Sequence, residues 1–212
     1  LNDTNLWSCF SGMNKKAAPG VDKVDYKKYE ENLDENIGQL VDDLKGKRYK
    51  AKLVRRKNIP KDNGKVRALG IPAIGDKLLQ TTGAKILSAI FEQDFKDFSH
   101  GYRRGKGPQK AALQLRDELL FRKYNFVVEA DIKGFFDNLD HDWLIRMLET
   151  RIDDNQFINL IRKWLKAGIL EEDGKVINPL TGTPQGGAIS AVLANIYLHF
   201  ALDLWFEKRV KP

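Results

Sequence analysis

The stretch Phe126–Leu144 constrains this chain more than any other segment. It opens with a β-branched and aromatic run, which predicts a buried strand over Phe126–Ile132. Asp131 is the acidic residue at the end of that strand, and a buried carboxylate is costly unless a cation lies against it. We therefore expect Asp131 to bind a metal ion. The aromatic pair Phe135 and Phe136 could form the wall of a pocket for a flat, sugar-bearing substrate.

Composition indicates a folded chain rather than a disordered tail. Of the 212 residues, 31% are charged and 42% are hydrophobic. A chain of this length can bury a core in one large domain or in two interleaved subdomains. No apolar run approaches the roughly 18 residues that a membrane span needs, so we expect no membrane partner.

Basic residues are concentrated between Lys45 and Arg67. This basic stripe holds eleven basic residues against one acid, Asp62, whereas the whole chain has a net charge of +7. Such a density of charge, with Tyr49 inside it, predicts contact with a polyanion, most simply a nucleic-acid backbone. The alternative is a solvated basic face. The candidate contact residues are Lys47, Arg48, Lys50, Lys52, Arg55, Arg56 and Lys57, together with Arg103 and Arg104 in the glycine-rich loop Gly101–Gly107.

Apolar spacing and turn residues predict several helices beside few strands, an α+β architecture. One amphipathic helix is expected from Asp25, its cap, to Lys45, with Gly46 ending it. Two strands, Lys52–Pro60 and Lys65–Ile71, should form a hairpin because Asn-Gly between them is a strong turn signal. Further helices are expected from a cap at Asp76 to about Phe95, from Pro108, near His141–Thr150, over Asn155–Ala167 and over Ala188–Glu207.

The hairpin and a glycine-rich loop carry further candidate chemistry. Lys61, Lys65 and Arg67 near the hairpin tip could grip a triphosphate, although a surface hairpin with ordinary charges is equally open. In Gly182–Gly187, proline and three glycines force a defined turn and let the backbone approach a ligand closely. Gln185 could hydrogen-bond a base, a sugar or a template backbone. The alternative for this loop is a plain entry into the next helix.

These segments, in this order, resemble the reverse transcriptases encoded by group II introns. The resemblance rests on the IPK…GK.R.LGIP…D…Q block, on ADIKGFFDNLDH and on GTPQGGAIS…LANIYLH. It implies the fingers and palm of a right-hand polymerase, with an N-terminal helical extension. The implied division is fingers with extension over 1–89, palm over 90–144, fingers over 145–183 and a truncated palm over 184–212.

The resemblance also implies roles for individual residues. Asp131 would be a catalytic ligand of a two-ion Mg²⁺ site, with the Ile132 carbonyl beside it. Either Phe135 or Phe136 would be the gate under the sugar of the dNTP. The remaining implied contacts are with the triphosphate, through Lys61, Lys65 and Arg67, and with the nascent pair, through Gln185 and Gly186.

In the family, a YADD strand brings the other two metal-binding aspartates, and this chain stops at Pro212 before such a strand. We therefore expect negligible polymerase activity from these 212 residues alone. The implied partners are intron RNA, an RNA template and a DNA primer, with a possible homodimer, in a cytoplasmic intron ribonucleoprotein. The alternatives are a non-catalytic RNA-binding maturase module and a domesticated, for example CRISPR-associated, reverse transcriptase.

Overall fold

The computed structural model describes residues 1–60, 64, 66–121, 124, 126–184 and 186–210. The longer helices pack against one another, and a four-stranded sheet completes the fold. The α-helices are α1 (Asp3–Ser11), α2 (Tyr26–Glu30), α3 (Leu33–Lys45), α4 (Ile74–Phe91), α5 (Pro108–Phe121), α6 (His141–Glu149), α7 (Asn155–Leu165) and α8 (Ser190–Leu198). The strands are β1 (Val54–Pro60), β2 (Val66–Ile71), β3 (Ile169–Leu170) and β4 (Val176–Ile177).

The predicted hairpin forms half of the sheet, whose strand order is β2-β1-β3-β4. β1 and β2 are antiparallel, with Arg55 opposite Ile71 and Pro60 opposite Val66. β3 lies parallel to β1 and antiparallel to β4. The β3–β4 pair was not predicted, because two-residue strands carry too little alternation to be recognised.

Aspartate caps begin three of the helices. The Asp25 carboxylate accepts a hydrogen bond from the Lys28 amide at 2.9 Å, and Asp140 accepts from the Trp143 amide at 2.8 Å. Asp154 accepts from the amides of Gln156 and Phe157. Each carboxylate satisfies amides that the first helical turn leaves without a partner, so local sequence determines where these helices begin.

Three predicted helices have different bounds. The helix expected over 25–45 is broken between α2 and α3, where Asn32 leaves the helical region with φ −125° and ψ 43°. Asp76 does not cap α4 but lies buried in its first turn, because the helix begins at Ile74. The last predicted helix is regular only over α8, and wider π-helical turns continue it over His199–Asp203 and Phe206–Val210.

One hydrophobic core joins most of these elements. Side chains from α1, α3, α4, α6, α7 and α8 meet in it, including the fully buried Phe10, Ile37, Leu78, Leu79, Leu144, Leu148, Ile161 and Leu193. Burying one such side chain contributes about 1.5–3 kcal/mol. By contrast, α5 has no buried residue. In the described part of the chain, every helix is too short or too polar to cross a lipid bilayer.

Candidate functional site

Two of the sequence motifs are joined backbone to backbone. The turn at 134–139 and the loop at 182–187, here called the GTPQGG loop, exchange main-chain hydrogen bonds. The Gly182 amide donates to the Leu139 carbonyl at 2.7 Å, and the Thr183 amide donates to the Phe136 carbonyl at 2.8 Å. His141 Nε2 lies 2.6 Å from the Gly182 carbonyl oxygen, so Nε2 carries the proton and donates it. The two motifs therefore form one structural unit.

Hydroxyl groups hold the GTPQGG loop to the start of α8. Ser190 Oγ donates to the Pro184 carbonyl at 2.9 Å and lies 2.8 Å from Thr183 Oγ1. Because the Ser190 proton is directed at Pro184, Thr183 is the donor in the hydroxyl pair. Both side chains are buried. The loop is thereby fixed in shape at both ends.

The hairpin motif contacts the GTPQGG loop through the end of β2. Gly186 has φ +106°, and a Cβ at this position would lie 3.0 Å from the Gly70 carbonyl oxygen. Only glycine allows this conformation and this approach together. The GTPQGG loop therefore lies directly against the last residues of the hairpin. The structure therefore brings together parts of the three sequence motifs: the turn at 134–139, the GTPQGG loop and the end of β2.

Aromatic rings line the turn at 134–139. The ring of Phe135 lies 5.7 Å from that of Phe136 and 6.3 Å from that of Tyr197, centroid to centroid. Phe136 also meets the exposed Tyr102 edge to face at 6.3 Å. Both phenylalanines are half-buried. Because these rings meet edge to face, they form an apolar cluster rather than a flat platform, and a sugar can pack against its edge.

Asp131 does not lie at the end of a buried strand. Residues 126–132 form no regular structure and are exposed, with Phe126 at 91% and Val128 at 90% exposure. The strand prediction is therefore wrong for this structure, and so is the inferred burial of Asp131. The physical reason is that a strand needs a partner for its backbone groups, and none of the described strands pairs with this segment.

The described residues do not by themselves fit a two-ion Mg²⁺ centre. Asp131 offers the carboxylate oxygen that Mg²⁺ prefers, and the Ile132 carbonyl stands next to it in sequence. Among the residues that the structure describes, however, no three His, Cys, Asp or Glu side chains gather closely enough to hold a metal ion. Asp131 is thus a single candidate ligand here.

The expected triphosphate contacts are only partly visible. Arg67 is exposed on β2, opposite Ile59. The predictions for Lys61, Lys65 and Gln185 fall outside the described residues. Arg67 is therefore the one of the three basic hairpin candidates whose position can be stated.

Acidic neighbours neutralise much of the basic stripe. Among the described residues of the stripe, four form ion pairs: Arg48 with Asp43, Lys52 with Asp22, Arg56 with Glu171, and Lys57 with Glu172. Arg55 donates to the Pro19 carbonyl at 2.6 Å. Lys47 and Lys50 are exposed and have no ion-pair partner within the described ranges. The charge available to a polyanion is consequently smaller than the sequence indicates.

Arg103, expected at a nucleic-acid surface, is buried instead. Its guanidinium donates to the Glu92 carboxylate at 2.7 Å and to the carbonyls of Lys96 and Ser99. It also lies over the ring of Phe95. With these donors engaged, Arg103 holds the loop before α5 in place, whereas Arg104 is exposed.

A buried hydrogen-bonded cluster between the start of α4 and the end of α7 was missed by sequence reasoning. Tyr49, expected to contact a polyanion, is buried; its hydroxyl donates to Asp76 Oδ1 at 2.6 Å and accepts from Trp164 Nε1 at 3.0 Å. Asp76 Oδ2 accepts from the Lys52 amide at 2.9 Å. Burial raises the pKa of the Asp76 carboxyl despite these hydrogen bonds, and it raises the pKa of Tyr49. Residues 27 and 115 positions apart meet here, which no local pattern reveals.

Comparison with known proteins identifies the class of this fold. The structure matches the solved "Partial Cas6-RT-Cas1--Cas2 complex" with a TM-score of 0.60 and 23% identity, over 98% of this chain and 34% of that chain. At this identity the match shows the fold alone. Residues 59–210 match the family "Reverse transcriptase (RNA-dependent DNA polymerase)", so the chain belongs to the reverse transcriptase family.

Named relatives confirm the resemblance to group II intron proteins. The chain is 43% identical over 167 residues to "Group II intron-encoded protein LtrA" of Lactococcus lactis subsp. cremoris, covering 78% of this chain and 27% of that protein. It is 36% identical over 171 residues to "Putative COX1/OXI3 intron 1 protein" of Saccharomyces cerevisiae, covering 81% of this chain and 20% of that protein. The chain thus spans about a quarter or less of the length of these relatives.

Proposed function

We propose that this chain is the amino-terminal polymerase part of a group II intron reverse transcriptase, which synthesises DNA on an RNA template. In this reaction the primer 3′-oxygen bonds to the α-phosphorus of a dNTP, and pyrophosphate leaves. One observation carries the proposal. Within the region that matches the family, the turn at 134–139, the GTPQGG loop and the end of β2 meet in one patch.

The proposal gives each candidate site residue a task. Asp131, with the Ile132 carbonyl, would be a ligand of the Mg²⁺ pair, whose other ligands lie outside the described residues. Phe135 or Phe136 would lie under the sugar and disfavour a 2′-hydroxyl. Arg67, with Lys61 and Lys65, would bind the triphosphate, and Gln185 and Gly186 would lie beside the nascent pair.

Removing one carboxylate from the full-length protein tests the proposal. We expect Asp131→Ala to abolish primer extension on an RNA template while leaving the Kd for intron RNA within about twofold. Glu129→Ala is the matched control, because Glu129 is an exposed acid in the same segment. Extension by the Asp131→Ala variant at the rate of the control would exclude the proposed role of Asp131.

A second candidate is a maturase that binds and folds intron RNA without synthesis. The exposed Lys47, Lys50 and Arg104 support RNA contact through phosphate and shape. In the Asp131→Ala experiment this candidate predicts that splicing persists and that the wild-type protein extends no primer. The two roles can also coexist in one protein.

A CRISPR-associated reverse transcriptase is the nearest enzymatic alternative. The name of the matched complex joins RT with Cas proteins, but at 23% identity the match supports only a shared fold. The genes beside this one distinguish an intron from a CRISPR locus. The division into fingers and palm, a homodimer and a cytoplasmic ribonucleoprotein stay proposals, and light scattering of the purified protein tests the homodimer.

A further inference from the structure

Gln80 has a buried side-chain oxygen that accepts no hydrogen bond from the described residues. It lies in the second turn of α4, next to the GTPQGG loop. The residue lies on α4 and is 6% exposed. Its Oε1 atom is buried and has no hydrogen-bond partner among the described residues. Buried polar atoms without partners are rare in folded proteins, and each is costly to leave unsatisfied. Such an atom calls for an explanation.

The orphaned oxygen lies directly under the loop. A Cβ at position 187 would lie 3.4 Å from Gln80 Oε1. Gln80, Thr183, Pro184, Gly187 and Ser190 also line a cavity of about 10 Å³. That volume is close to the smallest that holds one water molecule. Gln80 therefore borders a water-sized space whose walls are mostly apolar and whose polar groups on the loop side belong to Thr183, Pro184, Gly187 and Ser190.

The loop's hydroxyl protons are already engaged. The Ser190 proton is donated to the Pro184 carbonyl, and the Thr183 proton is donated to Ser190 Oγ. The Gly187 amide donates to the Pro184 carbonyl at 3.1 Å. The amides of Gly182 and Thr183 donate to the turn at 134–139. With these described donors of the loop engaged, a water in the cavity is the donor best placed for Gln80 Oε1.

We propose that Gln80 is a positioning residue for the GTPQGG loop, linked to the main chain of the loop through one water in this cavity, from which Gln80 Oε1 accepts a hydrogen bond. This inference rests on the proposed function, since the loop is there assigned to the nascent pair. Gly70 holds the opposite side of the loop by close backbone approach. Gln80 and Gly70 thus set the height and tilt at which the loop meets the nascent pair. A plain structural residue at this buried position would be apolar, because a well-packed side chain without polar atoms avoids the desolvation cost.

Two substitutions that shift stability and substrate use in opposite directions test the inference in the full-length protein. Gln80→Met keeps the side-chain volume and removes the acceptor. We expect its Tm to equal or exceed that of the wild type, while its KM for dNTP rises roughly five- to tenfold with kcat within about twofold. Gln80→Glu keeps an acceptor but buries a carboxyl, so we expect a lower Tm with a KM near that of the wild type.

Thr82→Val is the matched control on the same helix. Thr82 is 2% exposed, and its hydroxyl donates to the Leu78 carbonyl within α4, so its removal perturbs the helix but not the loop. We expect its KM for dNTP to match that of the wild type. If KM follows Tm across all three variants, or if Gln80→Met leaves KM unchanged, the positioning role is wrong.

Hydrogen exchange on the 212-residue chain separates this inference from the proposed function. Peptides covering 182–190 should exchange faster in Gln80→Met than in the wild type and the Thr82→Val control. Failure of the wild-type protein to extend a primer would overturn the proposed function. The exchange rates would still show whether Gln80 holds the loop in place. Equal exchange in all three chains would overturn the link between Gln80 and the loop.

Discussion

Gly182 lies where the GTPQGG loop and the turn at 134–139 come closest together. It has φ +83°, and a Cβ at this position would lie 2.6 Å from the Asp137 carbonyl oxygen. The end of a long side chain can move away from such a contact, but a backbone carbonyl cannot. Gly182→Ala should therefore combine the strain of a left-handed conformation with a steric clash, and we expect it to lower the free energy of unfolding by about 2–4 kcal/mol. Urea denaturation of the 212-residue chain measures this loss.

Gly174 is the control that separates the strain of the left-handed conformation from the steric clash. Its φ of +87° is nearly the same, but no atom lies within 4 Å of the position a Cβ would take. Gly174→Ala should cost only about 1–2 kcal/mol, the strain of the left-handed conformation by itself. Equal losses for the two substitutions would mean that the two segments move apart freely.

The residue types in the sequence suggested candidate chemistry, but they were a poor guide to the burial and contacts of those residues. Asp131, Phe135 and Phe136 were recognised from one stretch of sequence, and the two phenylalanines do line the patch. Arg103 and Tyr49 were assigned to a charged surface because their neighbours in sequence are basic. Their burial depends on Glu92, Asp76 and Trp164, which lie 11 to 115 residues away in sequence. Such partners are brought together by the fold, so a local pattern cannot reveal them.

Strand β1 presents two of its basic residues, Arg56 and Lys57, to acidic partners on the β3–β4 connection. Lys57 pairs with Glu172 at 3.2 Å, whereas Lys50, before the strand, is exposed without an ion-pair partner in the described part of the chain. To bind a phosphate, Lys57 must leave Glu172, which would then repel the same phosphate. We therefore expect Lys50→Ala to reduce the slope of log K for RNA against log salt by about 0.7–1, and Lys57→Ala to reduce it by less than half of that.

Filter binding of a single-stranded RNA between low and moderate salt measures both slopes. The pair is matched because each variant removes one exposed lysine. Equal reductions would show that the ion pair to Glu172 does not limit Lys57. Unchanged slopes in both variants would mean that the basic stripe is a solvated face.

Helix ends could be predicted where a capping residue fixes them. Strands could not be predicted where they depend on pairing with a distant strand. Asp25 caps α2 through an amide three residues away, and Pro108 begins α5 at the position that proline favours. The run 126–132 has strand composition, yet it stays exposed because β propensity needs a neighbouring strand to act. β3 shows the opposite case. Its two residues are too few to show an alternating pattern, but they form a strand because they pair with β1.

At the scale of the whole molecule, one core joins residues from Leu6 to Ile196. It draws on each of the four ranges that the resemblance assigns to fingers and palm. In contrast, α5 and the segment after it expose a series of apolar side chains: Leu113, Leu115, Leu119, Leu120, Phe121, Phe126, Val127 and Val128. Packing therefore divides the described chain into a cohesive body and an arm, the described residues of 108–132, which contributes no buried side chain.

Two leucines test this division of stability between the body and the arm. Leu144 on α6 is fully buried in the core, whereas Leu120 on α5 is 67% exposed. Leu144→Ala should lower the free energy of unfolding by about 2–5 kcal/mol, because it leaves a cavity that the surrounding helices cannot fill. Leu120→Ala should change it by less than about 0.5 kcal/mol. Urea denaturation followed by tryptophan fluorescence compares the variants, since Trp164 lies in the core. If Leu120→Ala costs as much as Leu144→Ala, the arm is packed against the body in solution and unfolds with it.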